Sequence, residues 1–399
     1  MRFTKAILAA SVLSLSLAAY AQKADDLVFT VVKENPITSI KNQNRSGTCW
    51  CFSALSFLES EAIRINNLKE ADYPDFSEMF VVSHTMMDRA TYFVRQYGEG
   101  SQYAPGGSAY DVLYCMEHYG LVTQDAMPGI RYGDTLPNHT EVDAICKGFL
   151  GGITGGKVKK LSPVWREAFQ AIWDIYLGKC PETFSYNGKT YTPLEFKEWL
   201  GLKESDYVSL TSYTHHPFYT RFALEVPDNW RMDQMYNVPM DEMMQIIDNA
   251  IRHGYTLAWG ADVSETGFTR KGIGVMPDAD HGADITGSDA AKWLGLSADD
   301  KRKELTKKPL PEVEVTQEMR QKAYDNWETT DDHGMQIFGI AKDQNGKEYY
   351  MVKNSWGTAK SDYKGIWYVS RAFMAYKTNN IVVHKDAIPK DIRKKLGIK

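Results

Sequence analysis

The sequence of 399 residues has few cysteines, no strong excess of either charge and, after its first 21 residues, no long apolar run. A net charge of −5 gives no electrostatic reason to expect nucleic-acid binding, and the basic run at 301–308 is typical of a solvated face. No stretch after the N-terminal segment is apolar for long enough to span a bilayer, so no membrane anchor is expected. With 43% hydrophobic and 24% charged residues, the chain can bury a large core.

Cysteine occurs five times, and the spacing of the cysteines argues against a metal centre. No CxxC pair is present and no histidine stands at metal-ligand spacing from a cysteine, so the sequence predicts no zinc site. Cys51 lies two residues from Cys49 on one predicted helix, which makes a bridge between them unfavourable and predicts a packing role for Cys51. The sequence leaves open any pairing among the other four: Cys51, Cys115, Cys146 and Cys180.

The adjacent histidines His215 and His216 are a second candidate for metal binding. Neighbouring residues of a strand face opposite ways, and the sequence offers no third ligand nearby. A metal site is therefore not expected here.

The N-terminus has the pattern of an export signal. Arg2 and Lys5 precede an apolar stretch at 6–18, and the small-x-small sequence at 19–21 is typical of a cleavage site. The mature chain is then expected to start at Gln22 and to be periplasmic or extracellular. No cysteine follows the apolar stretch, so a lipoprotein is not expected.

The segment at 41–57 contains the candidate nucleophile, Cys49. Ser46, Gly47 and Thr48 favour a tight turn, and the apolar residues that follow predict a buried helix starting at Cys49. The N–H groups and dipole at a helix N-terminus favour a thiolate over a thiol. Gln43, six residues upstream, can donate to an oxyanion together with the Cys49 backbone N–H.

A base and a residue that orients it come late in the chain. His333 stands at the start of one predicted strand, and Asn354 follows another, so both are expected at strand ends that face a cleft. His333 would take the Cys49 proton, and the Asn354 amide oxygen would fix the tautomer of the imidazole. Trp356 would shield that hydrogen bond from water.

Together these residues resemble the papain-like cysteine peptidases, and NQNRSGTCW is more similar to their bleomycin hydrolase and aminopeptidase C branch. The sequence departs from the papain signature at Ser46, where a further cysteine is usual, and at Thr48, where Ser or Ala is usual. The resemblance implies an α+β fold with a helical half and a β-barrel-like half, peptide substrates, no cofactor, and assembly as a homohexamer. It also implies that Gly106 and Gly107 bind the substrate backbone, and that Ala261 and Asp262 border the side-chain pocket.

The interval from Cys49 to His333 is about twice the 130 to 150 residues that simple papain-like enzymes need, which predicts an inserted subdomain. The expected organisation is a signal peptide (1–21), a helical half with the nucleophile helix (22–145), an inserted helical and hairpin subdomain (146–240), a β-rich half (241–385) and a short C-terminal helix and tail (386–399).

Two alternatives to an aminopeptidase remain open. In the resembled family a C-terminal arm lies in the cleft, and its carboxylate meets the free amine of the substrate. Here the sequence stops at Lys399 without such an arm, which favours an endopeptidase of the same mechanism as the runner-up. The other alternative, a non-catalytic binding protein on the same scaffold, requires that the Cys, His, Asn and Gln set be unused.

Overall fold

The computed structural model describes residues 27–100, 102–156, 158–278, 297, 300, 311–359 and 361–399. The predicted signal peptide and most of the charged stretch at 298–314 lie outside these residues. All predicted site residues lie within them.

The N-terminal half of the described chain is mainly helical. Its helices are α1 (Cys49–Asn66), α2 (Glu78–Arg95), α3 (Ala109–Tyr119), α4 (Thr140–Thr154), α5 (Trp165–Leu177) and α6 (Pro193–Leu200). The Ser77 and Thr192 side chains accept hydrogen bonds from the first turns of α2 and α6, as N-cap residues do. Thr192 and Glu195 form a capping box at the start of α6.

The C-terminal half is built on a sheet. Its helices are α7 (Met240–Arg252), α8 (Gln317–Asp325), α9 (Arg371–Lys377) and α10 (Lys390–Lys395). The strands of the whole described chain, in order, are β1 (Thr30–Glu34), β2 (Phe184–Tyr186), β3 (Lys189–Tyr191), β4 (Tyr207–Thr211), β5 (Arg221–Ala223), β6 (Gln234–Asn237), β7 (Leu257–Ala261), β8 (Phe268–Thr269), β9 (Ile273–Gly274), β10 (His333–Lys342), β11 (Glu348–Lys353), β12 (Ile366–Ser370) and β13 (Thr378–His384).

Among the described residues, eleven strands form one sheet in the order β5-β6-β4-β13-β7-β10-β11-β12-β9-β8, with β1 paired to β10. β2 and β3 form a separate hairpin. Asn187 and Gly188 connect these two strands with positive φ angles of 48° and 75°, as a type I′ turn requires. The mixed α+β architecture confirms the predicted fold class.

The segment at 146–240 does not form a separate layer. The predicted boundary at 145/146 falls inside α4, and β4 pairs antiparallel with β13 of the main sheet. β4 thus connects the chain of the predicted insertion directly to the sheet that carries His333.

The position of α1 against the sheet creates the site. α1 lies across β10 and β7, and the glycine after His333, Gly334, permits a close approach. A Cβ atom at Gly334 would lie 2.7 Å from Ser53 Oγ and 3.2 Å from Trp50 Cα. The start of α1 and the start of β10 therefore lie next to each other, which brings together residues far apart in sequence.

No helix in the described part of the chain is long and apolar enough to cross a membrane.

Candidate active site

Cys49 is the first residue of α1, at the position that the sequence predicts. Its side chain is partly exposed and lines a cavity together with His333. Cys51 lies two residues further along the same helix and is fully buried. Its thiol donates to the Glu78 carbonyl at 3.5 Å. All five cysteines, each within the described residues, are free thiols.

His333 and Asn354 are hydrogen-bonded to each other. His333 Nε2 lies 2.8 Å from Asn354 Oδ1, and because an amide oxygen only accepts, Nε2 carries the hydrogen. The other ring nitrogen, Nδ1, is left to exchange a proton with Cys49. Trp356 packs beside the imidazole of His333, with the ring centroids 4.6 Å apart.

Gln43 is held by Ser355, a residue that the sequence analysis did not single out. Ser355 Oγ donates to Gln43 Oε1 at 2.6 Å, and the Gln43 backbone N–H donates to the Ser355 carbonyl at 2.8 Å. Since Oε1 is engaged, the remaining function of the amide is its Nε2 donor. Gln43 is thereby fixed with a donor available for a developing oxyanion.

Electrostatics at the nucleophile differ from the sequence-based expectation. The pKa of the Cys49 thiol is raised to about 12, chiefly by burial, although the backbone N–H groups of Gly334 and Trp50 lower it. The charges of Asp228 and Asp331 add to the rise. The position at the helix N-terminus therefore does not by itself produce a thiolate, because loss of solvation outweighs it.

Burial also acts on the base. It lowers the pKa of His333 to about 4, against the hydrogen bond that His333 donates to Asn354, which raises the pKa. Each group taken alone is shifted towards its neutral form. A proton that passes from Cys49 to His333 creates two opposite charges side by side, and the poorly solvated site strengthens their attraction.

Gly107 lines the cavity that contains Cys49, and a second segment covers both Gly107 and the preceding Gly106. A Cβ atom at Gly106 would overlap the carboxylate of Asp228, and the Gly107 N–H donates to that carboxylate. The edge that the resemblance assigns to substrate backbone is thus already in contact with Asp228. Sequence analysis missed this residue, since Asp228 is more than 100 positions from the glycine pair and in no periodic pattern.

The segment that carries Asp228, residues 224–233, is anchored firmly to α2 and α3; we call it the covering loop. Trp230 Nε1 donates to Asp111 Oδ2 at 3.1 Å, and Arg231 bridges Asp111 at 2.6 Å and Asp88 at 2.7 Å. Within the loop, the buried Asn229 amide bonds to backbone groups of Leu224 and Asp233. These bonds make the covering loop a fixed wall of the cleft.

A second carboxyl group, Asp331, stands beside Asp228 in the same cavity. The Asp228 backbone N–H donates to the Asp331 carboxylate. Burial raises the pKa of Asp228 to about 6, with a further rise from Asp111, against the charge of Arg89 and the Gly107 N–H. Burial and the charge of Asp228 raise the pKa of Asp331 as well. At neutral pH Asp228 is therefore the ionised member of this pair, because the pKa of Asp331 is raised to about 8 and its carboxyl group is mostly protonated.

Ala261 and Asp262 lie away from this cavity. Ala261 is fully buried in β7 and pairs with His333 in the sheet register. Asp262 is buried beside Lys377, at 3.7 Å, and accepts from the Thr330 N–H at 3.1 Å. Among the described residues, the positions of β7 that line the cavity are Trp259 and Gly260. The residues of this strand that face the cleft therefore lie one or two positions before Ala261.

The histidine pair His215–His216 has a third polar neighbour, contrary to the sequence-based expectation. Both side chains contact Glu225, at 3.0 and 3.3 Å. The two histidines lie in a bend after β4 and not within a strand, so they do not face opposite ways.

Comparison with known proteins agrees with this geometry. The sequence model of the Peptidase C1-like family matches residues 2–134 and 308–398, which include Cys49, His333 and Asn354. Aminopeptidase G of Lactobacillus delbrueckii subsp. lactis is 23% identical over 90% of this chain and 83% of its own length. Aminopeptidase C of Streptococcus thermophilus is 24% identical over 91% of this chain and 83% of its own length.

A human protein and a solved structure extend the comparison. Human bleomycin hydrolase is 23% identical over 61% of this chain and 62% of its own length. The crystal structure of PepW from Lactobacillus rhamnosis HN001 superposes with a TM-score of 0.67 at 19% identity, over 92% of this chain and 84% of that one, and shows the shared fold. Because the family model matches more than half of the residues of this chain, the chain belongs to the Peptidase C1-like family and is a papain-like cysteine peptidase.

Proposed function

We propose that the protein is an aminopeptidase that removes residues from the free N-terminus of peptides, with Cys49 as nucleophile and His333 as acid and base. The observation that carries the choice of an aminopeptidase is the position of Asp228 against Gly106 and Gly107. Relatives named aminopeptidase G and aminopeptidase C support the same activity.

The chemistry follows from the site geometry. His333 Nδ1 takes the Cys49 proton while the sulfur attacks the substrate carbonyl carbon, and the Gln43 amide and the Cys49 N–H receive the negative charge on oxygen. The imidazolium then gives its proton to the leaving amine, and the C–N bond breaks to leave a thioester. A water molecule, deprotonated by His333, hydrolyses the thioester and releases the cleaved residue and the thiol.

The covering loop limits what can bind on the amino side of the cleaved bond. In an endopeptidase several substrate residues extend past the glycine pair, but here Asp228 occupies the space above Gly106. A substrate that ends close to this wall avoids the obstruction. The endopeptidase alternative requires the loop to leave its bonds to Asp111 and Asp88.

Charge at the closed end matches an amino terminus. The α-ammonium group of a peptide lies one residue from the first peptide bond, and Asp228 and Asp331 line the same cavity as Cys49. This cavity has a volume of about 30 Å³, more than the ~10–15 Å³ that a water-sized group needs. Its acidic lining favours an ammonium group and disfavours an acylated, neutral amine of larger size.

The experiment compares two fluorogenic dipeptide substrates that differ only in an N-acetyl group. We expect kcat/KM for the free-amine substrate to be at least tenfold higher than for the N-acetylated one. Treatment with E-64 should abolish cleavage of both substrates. Equal rates would contradict the aminopeptidase assignment while leaving the peptidase intact. If E-64 added no mass to the protein and neither substrate were cleaved, the non-catalytic alternative would hold.

The proposal extends to location and assembly. We infer export from the N-terminal segment at 1–21. Protein recovered outside the cytoplasm should have the mass of a chain that starts at Gln22. Recovery of chains that begin at Met1 would contradict this. The family resemblance leads us to propose a homohexamer. Light scattering that showed only a monomer at micromolar concentration would contradict that inference.

A further inference from the structure

His215, His216 and Glu225 form a cluster at the edge of the sheet, outside the catalytic cavity. His215 Nε2 lies 3.0 Å from Glu225 Oε2, and His216 Nε2 lies 3.3 Å from Glu225 Oε1. One ligand atom from each residue lies within 4.8 Å of the others. The three residues come from two places in the chain, the bend after β4 and the start of the covering loop, just after β5.

The spacing of these atoms suits a small divalent cation. Zinc binds imidazole nitrogen at about 2.0–2.1 Å and carboxylate oxygen at about 2.0–2.2 Å, so neighbouring ligands in a tetrahedron stand about 3.3 Å apart. The His–Glu distances are close to this value. We propose that His215, His216 and Glu225 bind a divalent transition-metal ion such as zinc, with water as the fourth ligand.

Surrounding groups hold both imidazoles in place before any metal binds. The His216 ring stacks on Phe222 with centroids 4.1 Å apart, and the His215 ring stacks on Tyr324 at 5.4 Å. His215 Nδ1 lies 3.4 Å from Gln321 Oε1 and 3.2 Å from Gln321 Nε2, so the Gln321 amide contacts the back of the ring. When Nε2 binds a metal, Nδ1 carries the hydrogen, and the Gln321 amide oxygen is within reach to accept it.

Glu225 is also prepared for the role. Tyr324 donates from its hydroxyl to the Glu225 carbonyl at 2.9 Å, which fixes the backbone of the residue. Each of its two carboxylate oxygens faces one of the two imidazole rings, so the carboxylate lies between the two nitrogen ligands.

The place of the cluster indicates what the metal would do. Glu225 belongs to the covering loop and precedes Asp228 by three residues, while the histidines belong to the segment after β4. A bound ion would tie these two segments together beside the cleft. The ligand side chains are 27%, 38% and 56% exposed, so the ion would exchange readily with solvent.

The test measures zinc binding on protein first inactivated with E-64, because a free Cys49 beside His333 would bind zinc by itself. Competition with a chromogenic chelator should give one equivalent of zinc bound at micromolar affinity or tighter. His216→Ala and Glu225→Gln should each weaken binding at least tenfold. The matched control is His253→Ala, an exposed histidine at the end of α7, which should bind as wild type does.

A spectrum makes the result independent of folding defects in the variants. Co²⁺ added to the E-64-treated wild type should give the strong visible absorption of a four-coordinate ion, and zinc should displace it. Absence of this band, or zinc affinity unchanged in both His216→Ala and Glu225→Gln, would overturn the proposal. This test does not depend on the substrate preference of the enzyme.

Discussion

The replacement Asp228→Asn tests the recognition of the substrate amine most directly. Asparagine has nearly the same shape and can still accept the Gly107 N–H, but it has no charge to offer an ammonium group. A hydrogen bond between ions in a partly buried site contributes about 1.5–3 kcal/mol, which corresponds to roughly 10- to 150-fold in kcat/KM. We expect a loss of this size for free-amine substrates.

Two further measurements separate charge from damage. The N-acetylated substrate should lose no activity, because it has no ammonium group for Asp228 to bind. Alkylation of Cys49 by iodoacetamide should become faster, because removal of the Asp228 charge takes away one cause of the raised thiol pKa. Activity and alkylation thus move in opposite directions.

The control is Asp233→Asn, at a buried aspartate of the same covering loop that lines a different pocket. Its substrate preference and alkylation rate should match those of the wild type. An Asp228→Asn variant that lost both substrates equally, or that kept full preference for the free amine, would refute the assignment of Asp228 as the amine-binding residue.

Four other predictions concern the catalytic groups. Cys49→Ala should abolish turnover and labelling by E-64 with an unchanged melting temperature, whereas Cys51→Ala should keep both, and the reverse pattern would show that Cys51 is the nucleophile. Asn354→Ala should lower kcat about 10- to 150-fold with little change in KM, because the His333 ring loses its hydrogen bond of 2.8 Å to Asn354. A wild-type kcat would mean that another group orients the ring. Ser355→Ala should lower kcat about 2- to 10-fold, which corresponds to the loss of one neutral hydrogen bond to Gln43. In a Gln43→Ala background the same replacement should have no further effect on kcat. Additive losses would show that Ser355 does not act through Gln43. Because the pKa of Asp228 is raised to about 6, mainly by burial, kcat/KM for free-amine substrates should fall as the pH drops through about 6 and the carboxylate takes up a proton, and Asp228→Asn should remove this step from the pH profile.

Interactions between residues a few positions apart can be read from a sequence, and they set several elements of this fold. Such interactions form the caps at Ser77, Thr192 and Thr316 and the turn at Asn187–Gly188, and α1 starts at Cys49, where the apolar pattern predicts it. The pairing of His333 with Asn354 followed from the resemblance together with two predicted strand ends.

Tertiary structure alone decided the closed end of the cleft, the state of the nucleophile and the histidine cluster. Asp228 meets Gly106 because Trp230 and Arg231 bind Asp111, and no periodic pattern connects residues about 120 positions apart. Solvation is a property of the folded surroundings, so the rise in the Cys49 pKa could not be deduced from its place at a helix N-terminus. Glu225 joins His215 and His216 because the backbone bends after β4 and returns along β5. The contacts join residues nine and ten positions apart, but packing of the bend, and no periodic pattern, sets them.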